Sequence, residues 1–112
     1  MQLFHIVAPQ VWAAAITAGE YRPSSLASEG FVHLSFAEQV ESVANARYRE
    51  EPALQLIEFD SDDVVPAVVV EDSYGSGTAY PHVYGAIDPR WARAVHRLTR
   101  DEQGDWRFSP DA

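Results

Sequence analysis

The chain contains no cysteine and no lysine, and only one methionine. Without thiols, disulfides, thiolate catalysis and cysteine-ligated zinc are excluded. All eight basic residues are arginine, set against 17 Asp and Glu, for a formal net charge of -9. No basic cluster makes a local exception. A surface of this sign repels phosphodiester backbones, which argues against tight binding to long nucleic acid but leaves room for a small anion held by one or two arginines. No apolar run approaches membrane-spanning length, so no membrane partner is expected. The opening residues MQLFHIV carry no basic residue ahead of their apolar run and reach Pro9 at once, unlike a secretory signal. A cytoplasmic location is the resulting expectation.

What is present is a chain of 112 residues, 46% hydrophobic and 12% aromatic, enough to bury a core as a single domain over 1–112. Leu3 to Val7 reads as a strand. Pro9 then opens a helix whose apolar face is Val11, Trp12, Ala15 and Ile16, and Gly19 can end it. Glu20 to Glu29 reads as a polar loop. Residues 35–38, SFAE, spell a capping box ahead of a helix carrying Val40, Val43, Ala44 and Arg47, so Ser35 has a structural use as a cap. LQLIEFD, residues 54–60, is a strand. Residues 64–70 form another, with Pro66 at its start or at a sheet edge. A Gly-rich stretch leads to a short segment in which His82 and Tyr84 share a face. A helical turn at Asp88 and Pro89, a strand in RWARAVHRL and a C-terminal hairpin over 99–112 complete the order. The class is α+β, with two main helices and a mixed or largely antiparallel sheet.

The polar residues inside apolar segments carry the functional question. In GFVHLSF, residues 30–36, alternation places Phe31, His33 and Ser35 on one face and Val32, Leu34 and Phe36 on the other. Four histidines, His5, His33, His82 and His96, each fall in or beside a strand. One such histidine is ordinarily a satisfied core residue, but several weaken that reading because every buried imidazole needs its own partners. His96, near the C-terminal hairpin, reads as structural. A zinc site built by three of them has no supporting motif, and no metal is expected. GSG, residues 75–77, is too short for a phosphate-binding loop. A triad of Ser35, His33 and Asp72 lacks the strand-turn-helix elbow that aims such a serine. Glu71 and Asp72 end a strand where a carboxylate can project into a cleft. Arg22, after the first helix, offers a fork for a phosphate or carboxylate.

FHI near the start, AGEYRPSSL, EGFVHLS, VANARY, LIEFD and VEDSYG followed by YPHVYG resemble, in this order, the bacterial family known as domain of unknown function 952, over about residues 3–98. That family is similar in fold to the ADP-ribosyltransferases and RNA 2′-phosphotransferases, whose split sheet binds NAD between its halves. The resemblance implies an ADP-ribosyltransferase-like fold and NAD, or a related small nucleotide, as substrate. It implies His5 as a hydrogen-bonder of ribose, His33 and Ser35 as cleft lining, and Arg22 as a phosphate contact. Glu71 or Asp72 would be the acid that stabilises an oxocarbenium-like centre, while His82 and Tyr84 close the opposite wall, Tyr84 stacking on a flat ring. The alternative is a non-enzymatic module whose degenerate cleft senses a small metabolite or docks a partner.

Overall fold

In a computed structural model that describes residues 1–109, β1 (Gln2–Val7), β3 (Gln55–Asp60) and β6 (Ala94–Arg97) form one sheet with β3 in the middle. β2 (Val32–His33), β5 (Tyr80–Val83) and β4 (Val68–Glu71) form a second, with β5 central. A two-stranded hairpin, β7 (Thr99–Arg100) with β8 (Trp106–Arg107), closes the chain, and every ladder is antiparallel. The last three residues of the expected hairpin segment, 110–112, lie outside the described residues. Among the described residues, no helix is long and apolar enough to cross a membrane.

The first sheet is buried on both faces, and strand periodicity sorts its side chains into two cores. Leu3, Val7, Ile57 and Phe59 face one way and pack with Trp12 and Ala15 of helix α1 (Pro9–Ala18). Phe4, Ile6 and Leu56 face the other way, against Val40 and Ala44 of α3 (Val40–Arg47) and Trp106 of the hairpin. The second sheet joins the first core through Val32, Leu34 and Val83. Its opposite face carries His33 and His82, paired directly across β2 and β5.

Helix α1 begins at Pro9 and ends where Gly19, at φ 76°, lets its own N–H reach back to Ala15 and Ile16. Its buried stripe is narrower than the sequence suggests: Trp12 and Ala15 are covered, while Val11 and Ile16 stay exposed because a single edge of the helix meets the sheet. The expected loop over 20–29 contains a five-residue helix, α2 (Ser24–Ser28), opened by Pro23. Ser35 does not cap α3. Its backbone is tied to β1, and Gln39 Oε1 instead accepts the Phe36 N–H at 3.0 Å in a 3-10 turn that precedes the helix.

The two sheets meet edge to edge at one point. Phe4 N–H donates to Ser35 O (2.9 Å), and Ser35 N–H donates to Phe4 O (2.7 Å). In a continuous ladder the next bonded pair would be Ile6 with His33. The strands part there instead, and the His33 carbonyl accepts from the His5 ring, Nδ1 to O 2.7 Å. The sheet is therefore split.

Because Leu56 is fully buried in the α3-facing core, Leu56→Ala is expected to cost about 3 kcal/mol of unfolding free energy. Val95→Ala, at a half-exposed strand position, should change it by less than about 0.5 kcal/mol. Urea denaturation of both variants checks this.

Candidate functional site

The split between β1 and β2 opens a cavity of about 90 Å³. His5, His33, Ser35 and His82 line it from the strands, Tyr74 and Tyr80 from the loop and start of β5, and Val43, Arg47 and Tyr48 from α3 and its end. A shallower groove of about 290 Å³ adjoins it, sharing His5, Ile6, His33 and Tyr48 and running on to Tyr21, Ser24 and Ser25.

His5 is fully engaged. Its Nδ1 faces a carbonyl, which can only accept, so Nδ1 carries the proton and Nε2 accepts the Tyr21 O–H at 2.6 Å. Burial disfavours the imidazolium and lowers the His5 pKa from 6.5 to about 4, against the opposing pull of the His33 carbonyl. Burial likewise raises the Tyr21 hydroxyl well above its usual range, with the nearby Tyr48 hydroxyl acting in the same direction. Both ring nitrogens of His5, for which the resemblance implies a ribose contact, are engaged by protein partners. The ring forms the wall between cavity and groove.

His33 and His82 sit side by side, ring centroids 5.4 Å apart and nearly perpendicular. Each is held by a carboxylate. His33 Nε2 donates to Glu29 Oε1 (3.0 Å), whose other oxygen takes the Tyr74 O–H at 2.5 Å. His82 Nδ1 donates to Glu71 Oε2 (2.9 Å), which also accepts the Tyr84 O–H. Both carboxyls are thereby lowered below the usual glutamate range, each chiefly by its tyrosine and then by its histidine. His82 is 1% exposed and stacks on Phe31 at 3.9 Å, yet among the described residues its Nε2 has no hydrogen-bond partner.

Not every expected residue arrives. Glu71 and Asp72 are neighbours on one strand end, so their side chains diverge. Glu71 reaches His82, whereas both Asp72 oxygens are spent on the backbone of Ser76 and Gly77, shaping the Gly-rich turn. Arg22 pairs with Glu20 at 3.0 Å, is 65% exposed and does not line the cavity. Ser35 and His82 line it, and Tyr84 stands behind Glu71 and is not among the lining residues. His96 pairs with Glu58 (2.8 Å) and packs against Phe4 and Phe108, away from the cavity. Tyr21, Glu29, Arg47 and Tyr74 carry no site role from sequence pattern alone, and the fold brings them to the cavity or to the rings that line it. The Tyr-Arg pair after α1 and the Glu-Gly pair ahead of β2 are the local signals the sequence offers. Among the described residues, no three His, Asp or Glu side chains come together as metal ligands.

A sequence profile described as "Protein of unknown function (DUF952)" matches residues 6–95. The chain belongs to this family. Its fold is similar to that of protein CC0527 from Caulobacter crescentus, seen in a crystal structure at TM-score 0.84, 24% identity, 96% of this chain and 94% of that one. The solution NMR structure of the same Caulobacter protein matches at TM-score 0.73 and 23% identity, covering 93% and 90%. No curated protein matches. The α+β architecture with antiparallel sheets is thus shared with the Caulobacter protein, and the chemistry has to be read from the cavity.

The His5 site gives a pH dependence with a definite sign. The unfolded chain takes a proton at this ring near pH 6.5 and the folded chain only near pH 4, so unfolding is promoted as pH falls through that window. Between pH 7 and pH 4 stability should drop by about 3 kcal/mol from this residue. The lowered carboxyls extend the loss at the acid end. Urea midpoints against pH, with the His5 imidazole followed by NMR, check the window. Tyr21→Phe, which strands the His5 acceptor nitrogen, should cost about 1–3 kcal/mol.

Proposed function

We propose that the cavity binds a small nucleotide-like ligand and acts on it by general acid-base catalysis, with His33 and His82 exchanging the protons. One observation carries this reading. His82 is buried at the cavity with Nδ1 held by Glu71 and Nε2 without a partner among the described residues. An unpaired buried nitrogen costs about 1–3 kcal/mol, a cost that is retained where the atom has another use. A carboxylate on one imidazole nitrogen fixes the tautomer, orients the ring and makes the other nitrogen a better base.

Arg47 supports an anionic ligand, since it lines the cavity and no carboxylate of the described residues pairs with it. Tyr74, Tyr80 and Tyr48 supply flat faces for a ring, and the adjoining groove extends the space beyond one ring or phosphate. NAD, as substrate, is the ligand that the resemblance to ADP-ribosyltransferases implies, with transfer or hydrolysis of the ADP-ribosyl group as its chemistry. A second reading, a binding module without turnover, is favoured by the engagement of Glu29 and Glu71 with imidazole and phenol.

Calorimetric titration with NAD, ADP-ribose and nicotinamide, followed by chromatography for released nicotinamide, tests these readings. Saturable binding that Arg47→Ala weakens about tenfold or more is expected. Release of nicotinamide that is lost in His82→Gln supports the enzyme. Binding without release supports the module, and absence of binding at millimolar ligand by folded protein overturns both.

A further inference from the structure

The bond that this cavity acts on can be narrowed, on the reading above that the cavity is a ligand site. Glycosidic cleavage calls for an anionic carboxylate facing a sugar carbon as positive charge develops there. Neither Glu29 nor Glu71 lines the cavity, and the oxygens of both accept from a histidine and a tyrosine. What does line it is a cation and three imidazoles, of which His5 has both ring nitrogens engaged. Among the described residues His82 Nε2 has no partner, and His33 has Nε2 on Glu29 while its Nδ1 has no hydrogen bond.

The cation is singled out by elimination. Arg22, Arg49, Arg90, Arg93 and Arg107 are each within ion-pair distance of Asp or Glu. Arg100 is spent on the carbonyls of Arg49, Glu51 and Gly104 and on the Trp106 ring. Arg97 is on β6, remote in the sheet order from β2 and β5. Arg47 remains, 5.9 Å over the Tyr74 ring at the cavity. A guanidinium neutralises phosphate oxygens as charge builds on them, and a proton-accepting and a proton-donating imidazole serve displacement at phosphorus. The acidic surface disfavours a polyanionic chain and tolerates a single phosphate.

We propose that the substrate is a phosphodiester of mononucleotide size, hydrolysed between His33 and His82 with its phosphate on Arg47. Water attacks phosphorus while one imidazole takes its proton; the bond from phosphorus to the leaving oxygen breaks, and the other imidazole protonates that oxygen. The products are an alcohol and a phosphate monoester. The two rings regain their starting protonation by exchange with solvent.

The test is incubation of the full chain with 2′,3′-cyclic AMP and with bis-p-nitrophenyl phosphate across the pH range, read by phosphorus NMR and absorbance. Monoester formation with a bell-shaped pH profile is expected. His33→Gln and His82→Gln should each lower kcat about 100-fold or more and remove one limb of the bell. Arg47→Ala should raise KM about tenfold. Should His82→Gln fail to fold, His33→Gln, at a ring one-third exposed, carries the test. No monoester from either ester, with NAD or ADP-ribose still binding saturably, overturns the phosphodiester and leaves the ligand site. No binding of any of the four by folded protein overturns the site itself.

Discussion

The molecule turns on the single bridge between Phe4 and Ser35. It pairs the edges of two sheets that also share the α1-side core, and it stops after one pair. Beyond it the His5 ring takes the carbonyl that a further ladder rung would have used, so the split is held open by a hydrogen bond instead of an exposed edge. A buried neutral imidazole suits that place. It offers one donor to His33 O and one acceptor to Tyr21, and both are used at short distance. The ring thereby acts as a strut.

The cavity follows from that strut. With β1 and β2 parted, the outward face of the second sheet lies beside α3, bringing Arg47 and Tyr48 opposite His33 and His82. β2 and β5 are in register at these two histidines, so their rings are neighbours by construction. Each ring is then fixed from outside by a glutamate and a tyrosine, one set on the loop before β2 and the loop after β4, the other on β4 and the end of β5. The carboxylates orient the imidazoles without lining the cavity themselves, and the rings and the Arg47 side chain do line it.

Much of the scaffold was legible in local pattern. Alternation in residues 30–36 assigned Val32 and Leu34 to the core and His33 to the opposite face, as found. Pro9 and Gly19 marked the ends of α1 because both are backbone effects that need no tertiary context. Helix α2 was missed because five residues are too few to display a period. Ser35 was read as a cap because its spacing to Glu38 fits, but the tertiary bridge to Phe4 competes for its backbone and prevails. The site's partners were the least legible. Tyr21 meets His5 across sixteen residues and Tyr74 meets Glu29 across forty-five, separations set by the split sheet and by no local rule. Glu71 and Asp72 looked equivalent in sequence, and the strand's two-residue period made only one of them a partner of His82.

The central claim is that His82 is a carboxylate-oriented imidazole whose Nε2 is reserved for a ligand. A two-bond nitrogen-proton NMR spectrum of the histidine rings, with and without ADP-ribose, addresses it most directly. The account requires a proton on His82 Nδ1 at neutral pH and an Nε2 resonance that moves saturably as ligand is added. A neutral His82 carrying its proton on Nε2, or an Nε2 resonance indifferent to ligand that binds elsewhere, would contradict it.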